Sequence, residues 1–167
     1  NSAIIVSVTP ADFGGSDALA GVFYQRRLEQ ACHALGQGNI PQQLYGDYVQ
    51  NVTSSGYGGF SSQTKGRTVF ANLRGLMSAD MERSFMEGMS HFARIIANFD
   101  AKDVILSGME TRTSSPVRIL RGEHCEGSVK GFYPCGEGAG YAGGIMSAAM
   151  DGLRVASAIM ERYCPAG

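Results

Sequence analysis

The stretch GEGAGYAGGI, residues 136–145, limits what this chain can fold into more than any other. Read from Gly138 it has the spacing G-x-G-x-x-G through Gly140 and Gly143. With that spacing a backbone approaches a pyrophosphate closely at the start of a helix. The stretch stands between GFYP, which reads as a strand, and IMSAAMDGLRVASAIM, which reads as a long helix rich in small residues. The first turn of such a helix offers N–H groups with no intrahelical partner, at the positive end of the helix dipole. Phosphates, carboxylates or an electron-rich carbonyl edge bind well there. Six glycines fall between positions 136 and 152, more than one turn needs.

A complete dinucleotide-binding unit also needs a second parallel strand after the helix, and an acidic residue about 20 positions beyond the glycines. The sequence stops at Gly167, just after Tyr163-Cys164-Pro165, and Glu161, near the right offset, belongs to the helix pattern. The glycine loop therefore reads as one half of a site. At the other end the chain opens on Asn1 and runs straight into Ala3-Ile4-Ile5-Val6, so a piece of a longer protein is expected.

Fourteen basic and fifteen acidic residues leave a net charge of −1, which gives no electrostatic footprint for nucleic acid or anionic membrane. No apolar run reaches the roughly 20 residues that span a bilayer. Cys32, Cys125, Cys135 and Cys164 form no C-x-x-C pair. With no targeting segment recognised, a cytoplasmic protein is expected. His33, His91 and His124 are scattered, and His124-Cys125 cannot build a zinc site alone, so no metal ligands are assigned.

Along the chain, Ile4–Val8 reads as a short buried strand. Gly14-Gly15-Ser16-Asp17 reads as a turn and cap for a helix carrying Leu19, Val22, Phe23, Leu28, Ala31, Cys32 and Leu35, with Gly36 as its stop. Residues 40–49 look extended but irregular, Pro41 arguing against a central strand. Residues 54–66 are rich in Gly and Ser and read as a surface loop, or as a lid whose Tyr57 and Phe60 close on a ligand. Ser78 is expected to cap a second helix with the stripe Met81, Phe85, Met89, Phe92, Ile96 and Phe99. Val104–Leu106, Val117–Leu120 and Gly131–Tyr133 read as strands. In the last helix Ile145, Ala149, Leu153, Ala156 and Met160 are expected to be buried, with Asp151, Arg154 and Glu161 outside.

ETRTSSPVRILR, residues 110–121, packs four hydroxyls and three guanidinium groups into one short segment. Pro116 forces Ser115 into an extended conformation. Arg112 and Arg118 suit a carboxylate or phosphate of a substrate or cofactor. A solvated edge strand with surface arginines is the plainer reading.

ETRTSSPVRILR and GFYPCGEGAGYAGGIMSAAMDGLRVA together resemble the closing portion of a group of bacterial FAD-dependent dehydrogenases related to the two-lobed flavoproteins. The strand at 3–8 and the DFGG…LAGVFYQRRLEQA region resemble the same group, while residues 50–77 do so least. The resemblance implies an α+β fold with a mixed sheet and flanking helices. It implies that the chain ends in a strand–glycine loop–helix completing a Rossmann-like FAD lobe present only in part. It implies three segments: residues 1–9 as a strand of the FAD lobe or its junction, 10–108 as an inserted substrate-side domain, and 109–167 as the end of the FAD lobe. Gly136, Glu137, Gly138, Ala139, Gly140, Tyr141, Gly143, Gly144 and Ile145 match the loop that lies against the flavin from the side opposite the main FAD fingerprint. Arg112, Thr113, Ser114, Ser115 and Arg118 become candidates for the substrate or cofactor side. Cys135 stands where the group is expected to carry a small residue, usually Ala, and Met77-Ser78 where Leu-Pro is expected.

The implied parent is an oxidoreductase that moves hydride through FAD, with NAD(P)H a candidate donor and the missing N-terminal FAD-binding region as the chain's partner. The isolated chain is then expected to be inactive and to bind FAD weakly or not at all, with catalytic residues and substrate unassigned. A rival reading is a non-catalytic module whose glycine loop grips a phosphate or a protein. A small enzyme using Cys135 as nucleophile is a third.

Overall fold

A computed structural model describes residues 2–164; Asn1 and residues 165–167, and with them the opening residue and Pro165, lie outside the described residues. The helices are α1 (Ala20–Leu35), α2 (Tyr45–Gln50), α3 (Ala79–Ala93) and α4 (Ile145–Tyr163). The strands are β1 (Ile40–Leu44), β2 (Thr68–Phe70) and β3 (Ile105–Ser107). They form one mixed sheet in the order β2-β1-β3, with β1 parallel to β2 and antiparallel to β3. The α+β class and the mixed sheet are therefore as expected. The chain divides into two compact units: Gln25–Thr111 with the residues up to Asp12, and Phe13–Tyr24 with Arg112 onward.

The first unit holds the whole sheet. Pro41 lies in its central strand, against expectation, and the ladder explains how. Pro41 O accepts from Gly108 N at 2.7 Å, so the missing N–H falls on the β3 side, beyond Ser107 where that ladder ends. The next two residues, Gln42 and Gln43, are both fully buried. Strand alternation sends them to opposite faces, and each amide is satisfied. Gln42 Nε2 shares its two hydrogens among Ser62 Oγ, Thr64 Oγ1 and Ser107 Oγ at 2.8–3.0 Å, and Tyr57 Oη donates to its Oε1 at 2.7 Å. Gln43 donates to Val52 O and Asn72 Oδ1 and accepts from Leu73 N. Residues 54–66 carry no regular structure, as expected, but Tyr57 is fastened to Gln42 and lies 4.8 Å from the Phe70 ring. Phe60 is exposed.

Tyr45, Tyr48, Ala71, Leu73, Met81 and Met89 form the apolar centre, with the Phe85 ring edge-on to Tyr48 at 5.3 Å. Ser78 caps α3 as expected, its Oγ accepting from Met81 N. The stripe is buried at Met81 and Met89 only; the helix stops at Ala93, leaving Phe92, Ile95 and Ile96 exposed. In front of α1, Asp17 Oδ1 accepts from Leu19 N at 2.7 Å, and Gly36 N closes the other end on Cys32 O.

Three expected strands do not form. Ile4–Val8 has no ladder partner among the described residues, and Ile5 is 70% exposed. At Val117–Leu120 the backbone groups are spent on another loop, Ile119 N donating to Ala139 O and Ser115 Oγ donating to Val117 O. At Gly131–Tyr133 they are spent in a turn, with Phe132 N on Val129 O, Gly131 N on Glu126 Oε1 and Phe132 O accepting from Gly127 N. The glycine loop therefore follows irregular backbone, not a strand.

The second unit holds α4. Its orientation reverses the sequence reading. Val155 is the buried residue, Ala148, Asp151, Gly152, Ala158 and Ile159 are half-buried around it, and Asp151 faces inward. Ile145, Leu153 and Met160 are 90%, 70% and 62% exposed. Both stripes repeat at helical spacing, and greater apolarity does not decide which one this chain covers itself. No helix among the described residues is long and apolar enough to cross a membrane.

Candidate glycine-loop site

The second unit brings together the two motifs that the sequence singled out. Ser115 shares its single O–H between Val117 O at 2.9 Å and Gly138 O at 3.1 Å, and Arg118 Nε donates to Gly140 O at 3.0 Å. The hydroxyl of Ser115 sits at the Ser-x-Val turn just before the loop's carbonyl, so residues 112–118 form a rail along residues 138–140. Ala139 is buried, and its carbonyl takes the Ile119 N–H.

Gly140 is a glycine the rail requires. Its φ is +81°, and a Cβ there would lie 2.4 Å from Val117 O. Gly136, at φ +71°, turns the chain into the loop. Its N–H donates to Asp151 Oδ2 at 2.8 Å. Asp151 also takes both terminal nitrogens of Arg121, and Arg121 Nη1 reaches back to Pro134 O at 2.8 Å. The two side chains are only 5% and 10% exposed. The Arg121 guanidinium, with the Gly136 N–H, holds the Asp151 carboxyl down at about 2. Tyr141 is clamped between Arg121, 3.7 Å from its ring centre, and Arg118 at 5.0 Å. Arg121, Tyr141 and Asp151 thus lock the loop to α4. The sequence reading gave Tyr141 no separate role and placed Asp151 outside. The signal that could have found Asp151 is the second stripe of α4, Ala148, Gly152, Val155 and Ile159.

The remaining loop residues take no part in this lock, although Gly138 O lies against Ser115 Oγ. Glu137, Gly138, Gly143, Gly144 and Ile145 are exposed. A Cβ at Gly138 would meet nothing within 4 Å; one at Gly143 would come no nearer than 3.8 Å, to Ser114 Oγ. Gly144 is extended, at φ −171° and ψ 170°, and is the N-cap of α4 with no side-chain cap. Ala148 N is bonded to Gly144 O, leaving the amides of the first turn on the surface. Arg112, Thr113 and Ser114 are exposed beside this loop, with Arg112 and Ser114 engaged in interactions of their own. The site is an open wall. Two cavities, of about 650 Å³ on α3 and about 370 Å³ beside Cys125, include none of these residues. Among the described residues no three His, Cys, Asp or Glu side chains are grouped to hold a metal.

Comparison with known proteins matches residues 1–113 to a family model described as FAD-dependent protein, C-terminal domain-like. A Clostridium beijerinckii protein described as an uncharacterized protein is 41% identical over 166 residues, covering 98% of this chain. The chain spans 31% of that relative's length.

Proposed function

The chain belongs to the FAD-dependent protein, C-terminal domain-like family, and from that premise we propose that it closes one side of the flavin site in a longer FAD-dependent oxidoreductase. One observation carries the reading. Gly138, Gly143 and Gly144 are glycines that this chain's own fold does not need: none is left-handed, and none is crowded. A residue that gives up its Cβ without local cause leaves room for something to come close. What comes close there meets the bare amides of α4, which favour an electron-rich or anionic edge.

Those features fit FAD. Gly138, Gly143, Gly144 and Ile145 would lie nearest the cofactor, while Gly136, Glu137, Ala139 and Gly140 shape the loop that presents them. The amides and the helix dipole would stabilise negative charge on the ring by about 1–2 kcal/mol. When bound, FAD supplies the hydride-transfer chemistry. Arg112, Thr113, Ser114 and Arg118 then offer cations and hydroxyls to a substrate or to the cofactor, with Ser115 fixing the rail. The N-terminal FAD-binding region of the same polypeptide supplies the other half of the site, NAD(P)H is the candidate reductant, and the cytoplasm the expected compartment. The 167-residue chain by itself is inactive and holds FAD weakly or not at all.

The test separates fold from cofactor. In the full-length protein, Gly143→Ala and Gly144→Ser each add atoms where nothing crowds them, a Cβ coming no nearer than 3.8 Å to Ser114 Oγ and 4.0 Å to Ser147 Oγ respectively. Serine is also the better N-cap, so folding stability should hold or rise by a few tenths of a kcal/mol. Flavin content per chain, read from visible absorbance, should fall at least tenfold. Full flavin occupancy in both variants would remove the loop from the site, and phosphate binding without flavin would favour the non-catalytic module.

A further inference from the structure

The helix α4 has three faces. At 100° per residue, Ala148, Asp151, Gly152, Val155, Ala158 and Ile159 make the one its own chain covers. Ser147, Arg154 and Glu161 make a narrow polar strip. The third face is wider than either: Ile145, Met146, Met150, Leu153, Met160 and Tyr163, between 56% and 90% exposed, with Ala149, Ala156 and one hydroxyl, Ser157, among them. A helix with two broad apolar faces has a second face to cover, and large exposed apolar patches mark interaction surfaces.

The second unit also lacks a layer. Among the described residues its only regular elements are α4 and the first turn of α1; all three strands belong to the other unit, and the nearest approach to a sheet is the single bridge Arg121–Gly127. A stable core needs two packed layers, and here one is present. Some two thirds of the Clostridium beijerinckii relative lies outside the region this chain matches.

We infer that the outer face of α4 is an intramolecular docking surface, and that its occupant is an apolar sheet face of the remaining, non-matching part of the same longer polypeptide. This rests on the reading that the chain is the closing part of such a polypeptide, and not on which cofactor that protein holds. Docking supplies the missing layer. It also puts the uncapped end of α4 at the margin of that layer, so the open wall becomes a site when the rest of the chain is in place.

The methionines report on this without any substitution. In the full-length protein, Met146, Met150 and Met160 are oxidised with dilute hydrogen peroxide, and sulfoxide formation is followed by peptide mass spectrometry against the same protein unfolded in urea. At least tenfold slower oxidation at all three is expected, unchanged on hundredfold dilution and unchanged after the flavin has been stripped. Rates within about twofold of the unfolded protein overturn the proposal. So does protection that disappears on dilution, which would assign the face to a second copy, and so does protection that appears only with lipid vesicles. A protein that proves to hold no flavin but protects the three methionines defeats the flavin reading alone.

Discussion

Replacing Asp151 by asparagine removes one charge and almost no volume. Arg121 would stay buried, 5% exposed, without the carboxylate that now meets it through two contacts. Breaking a buried pair from one side costs about 3 kcal/mol or more. Asparagine can still accept the Gly136 N–H, which places the cost at the low end. The depressed carboxyl gives a second route to the number. A carboxyl held at about 2, against an ordinary value of 3.8, contributes about 2.5 kcal/mol at neutral pH. The expected loss for Asp151→Asn at pH 7 is therefore about 2–3 kcal/mol. Because the folded value is the depressed one, this stabilisation is complete above about pH 5 and is lost as the pH falls through about 2. Urea unfolding followed by circular dichroism, at pH 7, 4 and 2.5, reads both features. A deficit under about 0.5 kcal/mol at pH 7, or one that persists undiminished at pH 2.5, refutes the lock described for the loop.

Gly140→Ala should cost more than 2 kcal/mol, since both the left-handed φ and the 2.4 Å approach to Val117 O oppose a Cβ, and thermal melting will show it. Gln42→Leu should cost about 3 kcal/mol, because four hydroxyls lose their amide partner; faster hydrogen exchange across residues 54–66 is the accompanying sign. Ser78→Ala should cost about 0.5–1 kcal/mol, the low end of the N-cap range because its bond to Met81 N is 3.4 Å; chemical denaturation measures it.

How far the sequence could be read depended on where each segment's partners lie. Helices α1, α3 and α4 and strand β3 were legible because caps and periodicity are local. Residues 40–44 were not, because IPQQL is polar and carries a proline, and only the ladder beyond shows the missing donor to be harmless. Val117–Leu120 has the composition of a strand, yet Gly138 and Ala139 take up its neighbours' hydrogen bonds. Of the loop, the glycines were visible and the Arg121–Asp151 fastening was not, since it depends on which of two stripes α4 turns inward. That choice is set by the rest of the second unit, whose contacts leave no periodic trace.

Gln42 makes the centre of the sheet answerable to three distant positions, Ser62, Thr64 and Ser107, together with Tyr57. An aliphatic residue at 42 would leave all four hydroxyls to find new company at once. Through evolutionary time these five positions are therefore expected to change in concert, whereas the exposed Gly56 and Phe60 between them are at liberty to vary and Gly58, where a Cβ would lie 2.5 Å from Asp103 Cβ, is not. Coordinated replacement at 42, 57, 62, 64 and 107 is the inheritance pattern that this one amide imposes.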